Sequence, residues 1–528
     1  MQSQSSKEVE SGIEANAVDH DGSIDPVEAE KRGTEFDGRD MNRMGKLPEL
    51  RRNFRFSSIF GYGVVLGATW EFSLVIVALS LLNGGTGGGI WMFLVVCVGM
   101  FHVVLSMAEM ASMAPTSGGQ YHWVSEFAPP KYQKFLSYIV GWFAVIGWQA
   151  AMASLAFACA QQFEGLIALN VESYVIKGWH GTLFCIAITM FAILWNTLLV
   201  RKLPLLEGVI VILHIFGFFA FLAVLWVMAP KSDAKTVWTD FEDNGNWGSI
   251  GLSCLVGLTG PVITLIGADS ACHLSEELKD AAYVLPRSMV ATALVNYTMG
   301  FIMTITIMST LGDIGSIMST PTGQPYIQVV LNATQSVVGT SILTAIVAII
   351  LLFAAVNLVT TSSRQLFAFA RDRGLPYSKT LAYVRPGWDI PVNAVLCTLA
   401  ISTLLSLIII GSTIPFNIII SIGQVGTVAS YIVPIACILR KRMVKEPLLP
   451  SRFDLGRGGI YVNVMALCFL VLAFVFPFFP LTTHPTAATM NWNILITGFT
   501  IAVALIYYVF RARYTYKGPV EYVKQLSG

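Results

Sequence analysis

Long apolar runs, separated by short polar stretches, dominate the chain from residue 57 onward. A helix of about 20 apolar residues crosses the roughly 30 Å hydrocarbon layer of a bilayer. Twelve runs reach that length, at approximately 57–82, 90–113, 135–164, 181–199, 204–228, 249–275, 288–311, 337–360, 392–411, 415–439, 459–480 and 490–510. The apolar-polar alternation of barrel strands does not occur, so helices are the structure that satisfies the backbone in lipid. The pattern predicts an all-α membrane protein with twelve transmembrane helices.

The composition agrees with a membrane protein. Hydrophobic residues make up 55% of the 528 residues and charged residues only 12%, about half the ~25% of soluble domains. Eleven acidic and four basic residues fall within positions 1–40. We therefore expect a disordered acidic tail over 1–50, a twelve-helix domain over 51–513 and a short tail over 514–528.

The basic residues predict the orientation of the helices. With the N-terminus in the cytoplasm, the cytoplasmic segments from residue 42 onward contain 26 lysines and arginines, and the outer loops contain three. This bias indicates that both termini are cytoplasmic. We expect a multi-pass protein of the plasma membrane, with the vacuolar membrane as the alternative. The sequon that begins at Asn332 falls in an outer loop and is a candidate glycosylation site.

Several classes of protein are not indicated by the sequence. It contains no nucleophile–base set, phosphate-binding loop or metal-ligand spacing, and its eight cysteines all lie in apolar runs. It also contains no basic stripe with interleaved aromatic residues, the usual pattern of a nucleic-acid surface. We expect no catalytic residues, no metal, no cofactor and no nucleic-acid partner, so the chain is not predicted to be an enzyme.

Two of the twelve runs are interrupted by small residues at matching positions. The first contains Gly61-Tyr62-Gly63 and then Gly67-Ala68-Thr69, and the sixth contains Gly257, Gly260-Pro261 and Gly267-Ala268-Asp269. These are the first spans of two consecutive five-span blocks, and paired interruptions of this kind point to a transporter binding site. A helix that starts in mid-membrane offers free N–H groups to a carboxylate, while the freed carbonyl groups suit an ammonium. The breaks therefore favour a zwitterionic ligand, although glycines used only for close packing would leave the same pattern.

Four stretches of the chain resemble the amino acid–polyamine–organocation superfamily, specifically its fungal amino acid/choline (GABA permease-like) branch. They are Gly61 to Thr69; Ala108 to Tyr121 with Ala128 to Tyr132; Gly267 to Leu278 with Leu285 to Arg287; and Ser362 to Arg364, Phe369 to Pro376 and Pro391 to Ala394. Their order and spacing agree with the family over about 450 residues.

The resemblance implies a five-plus-five inverted repeat with broken first and sixth helices and two additional C-terminal helices. It also implies that substrate binds at the breaks. The candidate substrate-binding residues are Gly67, Ala68, Thr69, Trp70, Glu71, Trp148, Thr264, Gly267, Ala268 and Asp269. Thr69 replaces a glycine that is frequent in the superfamily, and Ala268 replaces a common aromatic residue, so the pocket differs in size from that of bacterial members.

Polar residues inside the spans are candidates for proton coupling. Glu71 is either a counter-charge or proton carrier, or makes a structural hydrogen bond to another helix, since an unpaired carboxylate at this depth is costly. His214 is either a proton carrier or a core histidine. In the family alignment, His214 occupies the place where some members have a lysine instead of a sodium ion.

Other polar and aromatic residues have two interpretations each. Asp269 either caps the second half of the sixth helix or contacts substrate. Trp148, with Trp70 and Trp142, either lines the pocket and attracts a cation or serves packing. The acidic residues at the helix exits are predicted to form an inner gate of ion pairs with nearby arginines: Glu109, Glu276 and Glu277, with Arg364 and Arg371.

The sequence thus predicts a permease that moves a small amino acid or amine-bearing solute, such as GABA or choline, by alternating access and with protons. Its expected partners are that solute, protons and the lipid bilayer. Two alternatives remain open: an exporter of an amine or alkaloid metabolite, and a nutrient receptor that has the same fold but does not transport.

Overall fold

The structure, a computed structural model, describes residues 33–45, 50–199, 202–384, 390–411 and 414–519. These ranges contain helices and two isolated bridges, Phe54–Leu278 and Asn83–Asp243, but no strand. Twelve helical segments are long and apolar enough to cross a membrane, which confirms the predicted all-α fold. They are named spans 1 to 12: Phe56–Val75, Gly85–Met113, Pro130–Asn170, Gly178–Leu198, Leu205–Met228, Ile250–Glu277, Ala281–Ser309, Val337–Arg371, Val392–Gly411, Phe416–Met443, Gly456–Phe478 and Asn493–Thr515.

Both predicted breaks are present. Span 1 consists of helices Phe56–Gly67 and Thr69–Val75, joined at Ala68, whose backbone is left-handed with φ 41°; a further helix, Val77–Leu82, follows. Left-handed backbone costs an alanine roughly 1–2 kcal/mol. A side chain at the preceding Gly67 would come within 2.3 Å of Asn296 Nδ2 on span 7, so a glycine is needed there.

Span 6 is interrupted at the corresponding place. Helices Ile250–Gly257 and Thr259–Leu265 are followed by an extended turn and then by the 3₁₀ helix Ser270–Glu277. Gly267 has φ 111° in this turn, a conformation that other residues rarely adopt. An added Cβ at Gly267 would lie 3.2 Å from Leu66 Cδ2, so the break in span 6 lies against the break in span 1.

Gly61 and Gly63 do not break span 1. Both lie inside the helix Phe56–Gly67, and the helix is interrupted only after Gly67. An added Cβ would lie 3.2 Å from Val211 Cγ2 at Gly61 and 2.8 Å from Thr292 Oγ1 at Gly63. Their physical role is therefore close packing of span 1 against spans 5 and 7.

The contacts between the spans show how the twelve helices are arranged. Span 3 packs along spans 8 and 10, and span 1 lies against spans 5, 7 and 8. Spans 11 and 12 pack on the outside, span 11 against spans 2 and 10 and span 12 against spans 3 and 10. Two five-span blocks, each beginning with a broken span, and two peripheral spans fit the predicted five-plus-five arrangement.

Shorter helices cover the ends of the bundle. We call one end the basic face; it carries the helices Glu35–Arg43, Gln120–Phe127 and Ser378–Leu381. The opposite end, the far face, carries Ala234–Thr239, Ile314–Met318 and Pro325–Thr334. Span 12 reaches the basic face through a π-helical turn, Tyr508–Ala512, and ends in the short helix Arg513–Thr515.

The structure differs from the prediction of a disordered tail over 1–50. Residues 1–32 and 46–49 lie outside the described residues, but residues 35–43 form a helix with a capping box at Thr34. The buried carboxylate of Asp37 accepts hydrogen bonds from Asp280 N at 2.9 Å and Ala281 N at 3.0 Å. This segment is ordered because Asp37 caps the N-terminus of span 7, where free N–H groups and the helix dipole favour an anion.

The C-terminal tail is packed in the same way over the part that the structure describes. Tyr516 is fully buried, and its hydroxyl is 2.6 Å from Ser137 Oγ on span 3. Residues 520–528 lie outside the described residues.

Candidate functional site

A buried pair of side chains connects the broken span 1 to the continuous span 5. Glu71 Oε1 and His214 Nδ1 are 2.7 Å apart, and neither side chain is exposed. Glu71 lies in the first turn after the break. The second oxygen of Glu71, Oε2, and the second ring nitrogen of His214, Nε2, are buried without a hydrogen-bond partner. Since buried polar atoms are normally bonded, the pair retains hydrogen-bonding capacity that the described part of the chain does not use.

Trp70 packs against the imidazole of this pair and against two other aromatic side chains of span 5. Its fully buried ring lies 5.8 Å from His214, 6.3 Å from Phe218 and 5.3 Å from Phe221, measured between ring centroids. All three neighbours belong to span 5. The apolar surroundings lower the local dielectric and strengthen the interaction between Glu71 and His214.

The three tryptophans that the sequence groups into one pocket contact different partners. Trp148 on span 3 packs edge-on against His273 of span 6, with centroids 5.4 Å apart. Trp142 contacts Tyr138 of its own helix, whereas Trp70 packs against span 5. Among the described ring contacts, Trp148 packs beside the break in span 6, Trp142 packs within its own helix, and Trp70 packs against span 5.

The prediction that Asp269 caps the second half of span 6 is wrong. Asp269 occupies the N-cap position of the 3₁₀ helix but makes no capping bond. Its buried carboxylate instead accepts hydrogen bonds from Gln120 Nε2 at 2.5 Å and from the hydroxyl of Tyr431. The physical reason is the close approach of helix Gln120–Phe127 and span 10, whose donors compete successfully with the helix N-terminus.

The remaining residues predicted at the breaks lie beside each other. Thr69 is buried against span 7, where an added Cβ at Gly300 would lie 2.5 Å from Thr69 Cγ2. Thr264 donates its hydroxyl to Gly260 O at 2.9 Å, within its own helix. Gly67 and Ala268 are partly exposed. The structure thus brings the two breaks together, with backbone at Gly67, Ala68, Gly267 and Ala268 between them.

Two of the three acidic residues that were predicted to line an inner gate form ion pairs with the predicted arginines. Arg371 donates two hydrogen bonds to Glu276, at 2.8 and 2.9 Å. Arg364 Nε donates to Glu277 at 2.8 Å. Both pairs join the end of span 6 to span 8 at the basic face, and their low exposure makes each interaction stronger than a surface salt bridge.

Glu109, the third predicted gate residue, has a different partner. It accepts hydrogen bonds from Arg442 Nη2 at 2.5 and 2.6 Å and from Leu455 N at 3.0 Å. Glu109 lies at the end of span 2 and Arg442 at the end of span 10, and span 11 contacts both of these spans. The prediction of a pair with Arg364 or Arg371 is wrong because span 2 ends beside spans 10 and 11.

Arg52 supports the end of span 6 from the N-terminal side. It donates to Ser275 O at 3.2 Å and to Leu278 O at 2.6 Å, and it lies 3.4 Å from Asp37. Burial lowers the pKa of the Arg52 guanidinium, and the nearby carboxylate of Asp37 opposes this shift. A buried guanidinium with carbonyl and carboxylate partners holds the segment after span 6 in place.

Sequence reasoning missed Glu207 on span 5. Glu207 is buried, its Oε2 has no hydrogen-bond partner, and it precedes His214 by seven residues. At 3.6 residues per turn the two side chains share one face of the helix, about 10.5 Å apart along its axis. Glu207 is the single acidic residue in this span, and an intramembrane acid is itself a signal of function.

Gln120, Tyr431 and Arg442 were also missed. Gln120 and Tyr431 contact Asp269 across 149 and 162 positions of the chain. Gln120 lies in a stretch that carries the family resemblance, but that stretch assigned it no role, and no local pattern marks Tyr431. Arg442 was counted only among the basic residues that predict orientation. For Asn332, the predicted glycosylation site, the structure shows a half-buried side chain in the last turn of helix Pro325–Thr334, accepting from Gln328 Nε2 at 2.8 Å.

The regions that match known proteins cover nearly the whole helical domain. Residues 54–500 match the amino acid permease family. A putative amino acid/polyamine transporter of Macrophomina phaseolina is 32% identical over 438 residues, 82% of this chain and 96% of the relative. The choline transporter of Saccharomyces cerevisiae is 28% identical over 471 residues, 88% of this chain and 82% of the relative. An amino-acid permease of Arabidopsis thaliana is 27% identical over 509 residues, 91% of this chain and 96% of the relative.

Proposed function

The chain belongs to the amino acid permease family and is a membrane transporter, and on that premise we propose that it is a secondary active, proton-coupled carrier of a small amino acid or amine-bearing solute. GABA and choline represent the proposed substrate class. The observation that carries this proposal is the buried Glu71–His214 pair directly after the break in span 1.

The two breaks supply the proposed binding groups. The helix that begins at Thr69 has N–H groups without intrahelical partners, which suit a carboxylate. Backbone carbonyl groups at the same breaks suit an ammonium or quaternary amine. The closeness of Gly267 to Leu66 supports a small ligand, because little space separates the two breaks.

The Glu71–His214 pair is the proposed site of proton coupling. With Glu71 ionised and His214 protonated, their attraction holds span 1 against span 5. If His214 loses its proton or Glu71 gains one, that attraction is lost and span 1 is free to move. A histidine is suited to this exchange because its ordinary titration range lies near physiological pH. The proton is thereby linked to the helix that also binds substrate.

Alternating access requires that the basic face open, and the ion pairs of span 6 are the proposed gate. Glu276–Arg371 and Glu277–Arg364 must separate when span 6 moves away from span 8. We propose that the basic face is cytoplasmic, that both termini lie there, and that the protein resides in the plasma membrane. The distribution of lysine and arginine supports this orientation, and Asn332 on the far face is then accessible for glycosylation.

Uptake by the purified protein in lipid vesicles tests the proposal. A panel of labelled amino acids, choline, polyamines and cyclic amines is presented with and without an imposed proton gradient. We expect accumulation of at least one compound, with a stimulation that is abolished by a protonophore. Substrate that moves only in the direction opposite to proton flow would indicate an exporter. Binding of substrate without flux would indicate a receptor. The second result contradicts the proposed carrier, whereas the first keeps the carrier and reverses the direction of transport.

A further inference from the structure

A cavity of about 820 Å³ opens at the basic face, between the segment that follows span 8 and the end of span 12. Four basic residues line it, Arg371, Arg373, Lys379 and Arg511, and none of its described lining residues is acidic. The cavity lies outside the breaks of spans 1 and 6 and is not used in the proposed transport cycle. A concave site lined with charges of one sign attracts a ligand of the opposite sign.

Three of these bases have no carboxylate partner among the residues that the structure describes. Arg371 is paired with Glu276. The side chains of Arg373, Lys379 and Arg511 are exposed, and within the described part of the chain none has an acidic oxygen within 4 Å. Asp372, the acidic residue adjacent in sequence, accepts a hydrogen bond from the hydroxyl of Tyr121 at 2.8 Å. Three cations around one cavity, without a counter-charge from the described residues, repel each other, and an anion would relieve that repulsion.

The backbone holds these side chains around the cavity. Arg373 and Tyr377 both have left-handed backbone, with φ 64° and 54°, so the chain turns sharply on each side of Leu375. The hydroxyl of Tyr507 donates to Leu375 O at 3.3 Å and fastens this segment to span 12. Arg511 follows Tyr507 by four residues and therefore lies near the same face of the helix.

The cavity adjoins the surface that faces lipid. Phe510 and Tyr514, on either side of Arg511, are 80% and 67% exposed. Large apolar side chains with this exposure on a transmembrane helix contact lipid, and aromatic residues favour the headgroup level. Leu375, Pro376 and Ala382 give the cavity an apolar part beside its basic part. An amphipathic anion matches both parts, whereas a free phosphate would use only the basic one.

We propose that this cavity binds the headgroup of an anionic phospholipid, with its phosphates contacting Arg373, Lys379 and Arg511 and its acyl chains along span 12. Basic pockets between transmembrane helices at the cytoplasmic side bind phosphoinositide-type headgroups. The site rests on the proposed cytoplasmic position of the basic face, since that leaflet is rich in anionic lipid, but not on the transported substrate. Because Arg371 lines the cavity and pairs with Glu276, a bound lipid lies next to the proposed gate.

Lipid retention by the full-length protein tests this site. The protein is reconstituted in phosphatidylcholine vesicles with about 5% phosphatidylinositol bisphosphate, extracted, and analysed by native mass spectrometry. We expect retention of the anionic lipid over phosphatidylcholine. In the triple variant Arg373→Gln, Lys379→Gln and Arg511→Gln we expect at least about tenfold weaker retention, from the usual contribution of each base near an anionic lipid.

A matched triple variant distinguishes the cavity from general surface charge. Lys131→Gln, Lys445→Gln and Arg457→Gln remove three exposed bases of the basic face that do not line the cavity. This control should retain lipid as the unsubstituted protein does. Equal loss in the two triples overturns the site, as does equal retention of the anionic and neutral lipids by the unsubstituted protein.

Soluble inositol hexakisphosphate provides the last comparison. If it displaces the lipid and binds the unsubstituted protein as tightly as the lipid does, the acyl chains contribute nothing and the proposal of a lipid is overturned. Weak competition supports it. The transport assay is not needed for any of these measurements, so the lipid site and the proposed carrier function can fail separately.

Discussion

The carboxylate of Glu71 and the imidazole of His214 join a helix that begins at a break to a helix that is continuous. The pair lies 2.7 Å apart with both side chains fully buried. Removing one member leaves the other without a partner at that depth, which costs several kcal/mol when the remaining group is charged (about 3–5 kcal/mol). This contact between span 1 and span 5 therefore depends on both side chains.

Replacement of Glu71 by glutamine tests the charge at this position. Glu71→Gln keeps the size of the side chain and a hydrogen-bonding oxygen but removes the negative charge. We expect uptake of amine-bearing substrate to fall at least about tenfold, which corresponds to ~1.4 kcal/mol, with normal abundance at the cell surface. Glu172→Gln, an exposed acidic residue at the far face, serves as the control. Unchanged uptake in Glu71→Gln removes this carboxylate from the mechanism.

Replacement of His214 tests the coupling to protons. His214→Gln retains a side-chain nitrogen but cannot gain a charge, so the attraction to Glu71 no longer changes during the cycle. Uptake should become independent of an imposed pH difference while exchange of substrate across the membrane persists. The exposed His484 provides the matched control, His484→Gln. If accumulation by His214→Gln still follows the gradient as in the unsubstituted protein, the imidazole is not the coupling group.

Tyr431 is expected to stabilise the break in span 6. Its hydroxyl donates to Asp269, which also accepts from Gln120. Tyr431→Phe leaves the buried carboxylate with one donor fewer, at a cost of about 1–3 kcal/mol. We expect a lower midpoint of thermal unfolding in detergent. Tyr461→Phe, at an exposed position, should leave the midpoint unchanged, and similar midpoints for all three proteins would show that the bond is weak.

Asp37 is expected to stabilise the basic face. Its carboxylate caps span 7 through Asp280 N and Ala281 N and pairs with Arg52. Asp37→Ala removes the cap and leaves a buried guanidinium without its counter-charge, so we expect a loss of about 1–3 kcal/mol. Protease sensitivity after Arg43 should rise together with the loss of thermal stability. Glu35→Ala, on the exposed side of the same helix, is the control, and equal effects in both variants contradict the capping role.

Much of the architecture could be predicted because it depends on local patterns. The runs of apolar residues predicted all twelve spans, and the short Gly-Ala-Thr and Gly-Ala-Asp segments located both breaks. Gly61 and Gly63 show the limit of that method. A glycine needed for backbone freedom and a glycine needed for close packing look the same in sequence, and only the neighbouring Val211 and Thr292 distinguish them.

The tail over residues 33–45 was mispredicted for a related reason. Its composition is acidic and polar, which is typical of disorder. One carboxylate, that of Asp37, meets the free N–H groups of span 7 and a buried arginine, and these contacts stabilise the helix Glu35–Arg43. Composition averages over a segment, whereas order here depends on a single residue that meets a distant helix end.

Local sequence patterns were enough to predict the twelve membrane spans, the positions of two helix breaks, and the need of several intramembrane polar residues for partners. Hydropathy and backbone conformation are properties of short segments, and an intramembrane charge is costly wherever it lies. The identity of the partners became visible only in the folded protein: His214 for Glu71, Tyr431 and Gln120 for Asp269, and Arg442 for Glu109. Partners are chosen by which helices pack side by side, and that depends on contacts between residues more than a hundred positions apart.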